Sequence, residues 1–261
     1  GIGVSIVVIV MGVINGFEKE VSKQTIALSG HSVIYSKSKT SDLEAIFGII
    51  DANDNVQSTT FFIRKDALIS YKNKTLPVAL EGVSLSKDLD LFLKNSIKPK
   101  IPNGISLEGN EVLLGTRLAM RLNAKEGDQI TLIIPQLHPT GGAVNLLSST
   151  ARVKGTFSVG LHDIDSKLIL TGFIVAEKLL KNSQSTTGLR VIYKNPKGSK
   201  AQTRLLLENF EEEFDAIDWT QYNQNFFLAL KSQKRILFVI LSLIIAVAAF
   251  NIASSIMLIV E

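Results

Sequence analysis

The sequence predicts an α+β domain with mixed sheets, built of two subdomains and placed between two membrane-helix and stalk segments. Charge gives the first reason: all 28 basic residues and all but one of the 24 acidic residues lie between Glu18 and Arg235, so both ends are uncharged. The second reason is that short strand-like segments are mixed with amphipathic helices in the charged middle. The uncharged ends are therefore expected in lipid and the middle in water.

The C-terminal segment is predicted to be a stalk helix that continues into a membrane helix over residues 221–261. Residues 236–260 contain no charge, and as a helix they would be about 37 Å long, enough to cross a hydrocarbon core of about 30 Å. Before them, apolar residues recur at helical spacing, at Tyr222, Phe226, Phe227 and Leu230, and no proline or glycine interrupts the pattern. A core helix of a soluble protein is the weaker alternative at this length.

The N-terminal segment, residues 1–30, is predicted to be the end of a first membrane helix followed by its own stalk. Residues 1–17 are uncharged but only about 25 Å long as a helix, so we expect a piece of a longer polypeptide. Gly30 is placed as a left-handed cap. Two unbroken helices entering one domain would transmit movement across the bilayer; the equal alternative is that they are stiff supports.

Both apolar segments carry small residues four positions apart. Gly12 and Gly16 are one pair, and Ala249 and Ala253 are the other. Because small residues let helix backbones approach closely in lipid, these four positions are predicted to pack against other helices.

The middle is expected to divide into two subdomains. Residues 31–75 and 186–220 each have a strand–helix–strand pattern and are predicted to form one subdomain, with residues 76–185 inserted as a β-rich second one. Ser41 to Glu44 has the form of a capping box that begins a helix, and residues 87–110 are expected to be irregular. The strands are predicted at 31–36, 56–65, 67–72, 74–83, 111–114, 129–135, 151–159, 167–175, 188–194 and 214–219, with a turn at Lys65-Asp66, and further helices at 116–122, 176–181 and 199–210.

No pattern in the sequence predicts catalysis. There is no cysteine, which excludes disulfides and thiolate chemistry, and His31, His138 and His162 are too far apart in sequence to form a familiar metal motif. Neither a phosphate-binding G-x-x-x-x-G-K-[ST] loop nor a G-x-S-x-G elbow is present. The net charge of +5 in the middle is spread out, unlike that of a nucleic-acid-binding surface. We therefore expect a protein that is not an enzyme and has no cofactor or metal.

Several stretches resemble one family of membrane proteins. They are MGVINGFE at 11–18, GDQIT at 127–131, GLHDID at 160–165 and AVAAFNIASS at 246–255, in the expected order. In these stretches the chain resembles permeases of the LolC/LolE lipoprotein-releasing type, within the FtsX-like superfamily, and its middle resembles the periplasmic core domain shared with MacB-type permeases.

The resemblance implies a permease subunit in the inner membrane of a Gram-negative bacterium, with the middle domain in the periplasm. It implies an ABC transporter that extracts lipoproteins from the inner membrane and passes them to a periplasmic carrier, LolA. The implied partners are a second permease subunit in a homo- or heterodimer, a separate ATPase subunit that hydrolyses ATP, the carrier, the lipoprotein substrate and membrane lipid, but no nucleic acid.

In C-like subunits of this family a protruding loop recruits the carrier, and residues 135–150 are the candidate here. They lie between two strong strands and include apolar residues that would be exposed on a projecting loop. An ordinary hairpin whose leucines pack back on the sheet is the alternative. The candidate carrier-binding residues are Pro135, Gln136, Leu137, His138, Pro139, Val144, Leu146 and Leu147.

Residues near the outer mouth of the two membrane helices are the candidates for contact with lipoprotein acyl chains. Plain packing between helices is an equally good alternative for each of them. The candidates are Met11, Ile14, Phe17, Leu237, Ile240 and Leu241.

Two other functions are compatible with the same sequence. A MacB-type permease that drives a trans-periplasmic efflux pump would need a fused ATPase or an adaptor partner. A two-helix sensor or receptor with a ligand-binding ectodomain would have no ATPase partner. The sequence beyond Glu261 separates these functions, since two more apolar spans there would indicate a four-helix permease.

Overall fold

The computed structural model describes residues 2–37, 43–84, 107, 109–136, 145–180, 185–196, 198–222 and 224–260. Its contacts divide the chain into two compact units. The first, here the two-helix unit, comprises Gly1–Thr25 and Thr220–Glu261, and the second, here the domain, comprises Ile26–Trp219.

The described elements are a mixture of helices and strands. In chain order they are α1 (Ile2–Ser29), β1 (Ser32–Ser36), α2 (Leu43–Asp51), β2 (Val56–Tyr71), β3 (Lys74–Val83), β4 (Glu111–Gly115), α3 (Thr116–Leu122), β5 (Gln129–Gln136), β6 (Asn145–Phe157), α4 (His162–Asp165), β7 (Leu168–Gly172), α5 (Phe173–Leu180), β8 (Thr186–Tyr193), α6 (Ser199–Leu207), β9 (Phe214–Asp218), α7 (Trp219–Tyr222) and α8 (Gln224–Val260).

The nine strands form one mixed sheet in the order β3-β7-β4-β6-β5-β2-β8-β1-β9, and β2 also pairs with β3. This extra pairing closes the first six strands into a ring. Within the ring, β3–β7 and β4–β6 are parallel and the other pairs are antiparallel. The predicted α+β fold with a mixed sheet is thereby confirmed.

The ring is filled by aliphatic side chains. Residues from all six strands contribute to a single buried cluster, which includes Ile69, Leu80, Leu114 and Val153. Helices α3 and α5 add Leu118 and other apolar residues to the same cluster. Alternate residues of each strand therefore point inward, as the two-residue repeat of a strand requires.

The remaining strands extend the sheet beyond β2 as an antiparallel layer, β2-β8-β1-β9. Helices α2 and α6 cover one face of this layer. They share a buried cluster with β1, β8 and β9, to which Ile46, Ile50, Leu189 and Phe214 contribute.

The predicted turn at Lys65-Asp66 is wrong, because β2 runs without a break from Val56 to Tyr71. Its first part pairs with β8 as far as Arg64, and it pairs with β5 from Leu68 onward. The charged residues that suggested a turn thus lie where the strand passes from one neighbour to the other. One strand therefore joins the two predicted subdomains.

Other local predictions agree with the structure to within a few residues. The strand predicted at 129–135 is β5, and the helix predicted at 116–122 is α3, with the left-handed Asn123 (φ 58°) ending it. The helix predicted at 199–210 ends at Leu207, and α4 was not predicted. Ser41 and Asp42 of the predicted capping box and most of residues 87–110 lie outside the described residues.

In the two-helix unit, α8 carries the membrane signal. Its stretch Phe227–Met257 spans 31 residues, and an 18-residue window within it has a mean hydropathy of 2.8. Among the residues that the structure describes, it is the one helix long enough and apolar enough to cross a membrane. Its large side chains are exposed along most of this length, for example Phe238 and Phe250 at 65% and 72%.

Candidate functional site

The last turn of α1, residues 26–29, belongs to the domain and ends at a junction built around His31. Gly30 ends the helix in the left-handed conformation (φ 67°), and its N–H donates to the Ile26 carbonyl at 2.8 Å. The next residue, His31, donates its N–H to the Val191 carbonyl of β8 at 2.9 Å. Its own carbonyl accepts the N–H of Trp219, 3.2 Å away. His31 therefore ties the end of α1 to β8 and to the start of α7.

The ring of His31 makes a third link, because its Nδ1 accepts the backbone N–H of Tyr193 at 2.8 Å. Burial lowers the pKa of His31, since a charged imidazolium is poorly solvated there. The neutral ring is thus the form that fits, as protonated Nδ1 could not accept this bond. We call Gly30, His31, Val191, Tyr193 and Trp219 the helix junction.

Hydroxyl groups surround the helix junction. Thr203 Oγ1 lies 2.7 Å from both Tyr193 Oη and Ser32 Oγ, and it donates to the Ser199 carbonyl at 2.8 Å. Burial raises the pKa of Tyr193, so its phenol stays neutral and able to donate. These bonds hold α6 against β1 and β8 with directional contacts.

An ion pair connects the helix junction to the ring. The Glu81 carboxylate on β3 is only 2% exposed, and Arg190 Nη2 on β8 donates to its Oε1 at 2.5 Å. Arg64 Nη1 on β2 lies 3.8 Å from the other carboxylate oxygen. Gly30 lies close to β8 here, since a Cβ added to it would lie 2.9 Å from the Val191 carbonyl oxygen and 3.1 Å from Arg190 Cγ. Arg190 therefore adjoins Gly30 and is paired with β3 through Glu81.

This arrangement combines directional hydrogen bonds at the helix junction with the ion pair of Glu81 and Arg190. It offers no metal site: among the residues that the structure describes, no three His, Asp or Glu side chains are grouped so as to hold an ion. Sequence reasoning missed the helix junction. The one local signal was Glu81 itself, a carboxylate that directly follows the apolar residues 76–80 of β3.

The GLHDID stretch has a structural explanation. Asp165 is 2% exposed, and its carboxylate accepts the N–H groups of Val159 and Gly160 at 2.8 and 3.2 Å and the Ser158 hydroxyl at 2.5 Å. A carboxylate with several donors fixes the turn that follows β6.

The two-helix unit has its own ion pair, between Glu18 of α1 and Lys234 of α8. Glu18 directly follows the uncharged residues of α1, and Lys234 lies two residues before the uncharged residues of α8. The pair therefore joins the two places at which the helices change from apolar to charged. We call this level the charged boundary.

The predicted acyl-chain candidates fall into two groups. Ile14 is 8% exposed, and Met11, Leu237 and Leu241 are half-buried; they recur at helical spacing with the ion-paired residues, as expected for packing inside the unit. Phe17 and Ile240 are 55% and 43% exposed, and their contact with acyl chains stays a prediction.

The predicted helix-packing residues lie in open space. A Cβ added to Gly12 or Gly16 would have no neighbour within 4 Å, and Ala249 and Ala253 are exposed. Within the described residues these four positions are thus not buried against another helix, and their role in contacts with other helices stays a prediction.

The predicted carrier-binding residues lie partly on strands. Pro135 and Gln136 belong to β5, Leu146 and Leu147 belong to β6, and the register pairs Gln136 with Asn145. Leu147 is half-buried against the core of the ring, whereas Leu146 is 65% exposed. The other four candidates, Leu137, His138, Pro139 and Val144, lie outside the described residues.

Comparison with known proteins adds relatives that match nearly the whole chain. No family model matches it. The LolC lipoprotein-releasing system transmembrane protein of Neisseria meningitidis serogroup B is 28% identical over 98% of this chain and 63% of its own length. LolC of Xylella fastidiosa strain 9a5c is 25% identical over 97% and 62%. The chain is a homologue of these LolC proteins.

The LolE protein of Haemophilus influenzae also matches, at 22% identity over the whole chain and 64% of its own length. The resemblance to the LolC/LolE type is confirmed. The chain spans less than two thirds of the length of these relatives.

Solved structures of periplasmic and extracellular domains also match. The periplasmic region of MacB from Actinobacillus actinomycetemcomitans is 11% identical over 77% of this chain and 94% of its own, with a TM-score of 0.48. The extracellular domain of YknZ, a noncanonic ABC-type transporter from Gram-positive bacteria, is 13% identical over 72% and 100%, with a TM-score of 0.45.

Proposed function

We propose that this chain is part of a permease subunit of an ABC transporter that extracts lipoproteins from the inner membrane and hands them to a periplasmic carrier. The observation that carries the proposal is the similarity to LolC, which covers 98% of the chain. The exposed, uncharged surface of α8 supports it, because such a surface needs lipid or partner helices around it.

The proposal includes a location and partners. The domain lies in the periplasm of a Gram-negative bacterium, and α1 and α8 enter the inner membrane at the charged boundary. The permease acts as a homo- or heterodimer with a second permease subunit. ATP is hydrolysed on a separate ATPase subunit, and a LolA-like carrier receives the lipoprotein.

In this proposal the domain passes movement on and does no chemistry. A shift of α1 acts first on Gly30 and His31, then on Arg190, and through Glu81 on the ring. Support comes from the burial of the Glu81 carboxylate, which is 2% exposed and paired with Arg190, since buried contacts hold their geometry better than solvated ones.

Complementation tests the transport function. The full-length protein that contains this chain is produced in Neisseria cells depleted of LolC, together with its own partner subunits, and the membranes are separated. We expect lipoproteins to return to the outer membrane, while cells with an empty plasmid keep them in the inner membrane. Lipoproteins that stay in the inner membrane despite normal protein levels would contradict the proposal.

Carrier capture tests the hairpin formed by β5 and β6. The exposed Leu146 is the described apolar residue nearest its tip, and Leu205 on α6 is a matched control with 70% exposure. We expect Leu146→Ser to weaken capture of a LolA-like carrier by about tenfold, because a buried leucine contributes roughly 1.5–3 kcal/mol, and Leu205→Ser to leave it unchanged. Equal capture by both variants would remove Leu146 from the carrier site.

A further inference from the structure

The charged boundary carries more positive than negative charge. Within the stretches of α1 and α8 that adjoin it, five cations face two carboxylates. The cations are Lys19, Lys23, Lys231, Lys234 and Arg235, and the carboxylates are Glu18 and Glu20.

Two of these cations occupy the exposed side of α8. Lys231 and Arg235 are four residues apart, so they lie on the same side of the helix, and both are exposed. Lys234 differs, because it is half-buried and paired with Glu18. Neither Lys231 nor Arg235 forms an ion pair with a carboxylate in the part of the chain that the structure describes.

Lys231 and Arg235 lie at positions along α8 that correspond to the level of lipid headgroups. Residues 236–257 carry no charge and are about 33 Å long as a helix, close to the thickness of a hydrocarbon core of about 30 Å. Arg235 therefore lies at the edge of this core, and Lys231 lies one helical turn farther out. Basic side chains at this level extend toward lipid phosphates.

We propose that Lys231 and Arg235 bind the phosphate groups of anionic phospholipids, with a preference over zwitterionic ones. A zwitterionic headgroup balances its phosphate with its own cation, whereas an anionic headgroup leaves the charge for the protein. A guanidinium also matches phosphate geometry with two parallel hydrogen bonds. The inference rests on the proposed membrane insertion of α8.

The test measures which lipids surround the chain. The 261-residue chain is reconstituted in vesicles of equal parts phosphatidylglycerol and phosphatidylcholine and extracted with its nearest lipids in polymer nanodiscs. The lipid ratio is then compared with that of the vesicles. Lys231→Gln/Arg235→Gln is compared with Lys200→Gln/Arg204→Gln, which removes an exposed pair with the same spacing from α6.

We expect phosphatidylglycerol to be enriched around the unsubstituted chain and around the α6 variant, and the enrichment to fall about fivefold or more in the α8 variant. High salt should reduce it as well, because the contacts are exposed to solvent. Inorganic phosphate should not displace the lipid, since the site requires a phosphate held at the membrane surface. Lys231→Arg/Arg235→Lys keeps both positive charges and should therefore keep the enrichment. This variant distinguishes a loss of charge from a disturbance of folding by substitution at these positions.

The two proposals fail in different ways. If the chain does not enter vesicles at all, the membrane proposal fails. If it enters and phosphatidylglycerol is not enriched, or is enriched equally around all the variants, the lipid site is overturned while membrane insertion stands.

Discussion

Aliphatic side chains meet inside the six-stranded ring, whereas polar groups meet at the helix junction. In the ring, residues such as Leu114 and Leu118 are fully buried among other aliphatic residues. At the helix junction, His31, Tyr193 and Thr203 are also buried, but each is held by hydrogen bonds. Apolar packing tolerates small shifts without a preferred direction, while hydrogen bonds fix distances and angles. The helix junction is thus held in a more definite geometry than the ring core.

Removing the Glu81 carboxylate, which pairs with Arg190, should have the largest effect on stability. In Glu81→Ala, Arg190 loses its buried counter-ion, and we expect the free energy of unfolding to fall by about 4 kcal/mol. Urea titration followed by the fluorescence of Trp219, the single tryptophan, measures the change. Glu177→Ala on the exposed side of α5 is the control. Equal losses in both variants would show that the ion pair does not hold the ring to β8.

A cavity in the ring core should cause the second-largest loss of stability. Leu114 is fully buried in the ring core, and we expect Leu114→Ala to lower the free energy of unfolding by about 3 kcal/mol. The exposed Leu205→Ala should cost far less. Because the ring core is apolar, the loss from Leu114→Ala should be the same at every pH between about 5 and 7.5. A loss that varied with pH would contradict the contrast with the helix junction.

A smaller loss is expected from a single hydroxyl at the helix junction. Tyr193→Phe removes the bond to Thr203, and we expect a loss of about 1 kcal/mol, since Thr203 keeps Ser32 and Ser199 as partners. Tyr71→Phe removes a hydroxyl from the ring surface, where it donates to Asp128 at 2.7 Å.

The effect of Tyr71→Phe should be visible in the pKa of Asp128. The backbone N–H of Lys125 and the Tyr71 hydroxyl hold the pKa of Asp128 below its usual value. In Tyr71→Phe this pKa should rise toward the usual value, which carbon-detected NMR of the carboxylate can follow. An unchanged pKa would show that the Tyr71 bond has no effect on Asp128.

Local sequence patterns predicted most individual helices and strands, but not the contacts between elements that are distant in sequence. Segments with a clear repeat, such as α3 and β5, were placed almost to the residue. The closure of the ring by β2 and β3 was not predicted, because charged residues in the middle of β2 suggested a turn. The ion pair of Glu81 and Arg190 joins residues 109 positions apart, and no local repeat reports such a contact. The helix junction was missed for the same reason.

The membrane side was easier to predict because lipid imposes a requirement on every residue of a spanning segment. The uncharged length of α8 could be counted directly. The sequence could not predict which face of α8 is covered, because Leu237 and Ile240 are similarly apolar. Only the structure shows that Leu237 is half-buried while Ile240 is exposed.

Acidification should weaken the helix junction while leaving the ring core unaffected. Burial lowers the pKa of His31 in the folded state below its ordinary value of 6.5, so the unfolded chain takes up the proton first as the pH falls. The contribution of the neutral ring is complete above about pH 6.5 and is lost between that value and the lowered pKa.

His31→Asn keeps an acceptor for the Tyr193 N–H but does not titrate. The free energy of unfolding of this variant should therefore fall less on acidification than that of the unsubstituted chain. His162→Asn, which changes an exposed residue of α4, is the matched control and should keep the full pH dependence. If both variants followed the unsubstituted chain, His31 would not be the titrating group, and the helix junction would be as insensitive to pH as the ring.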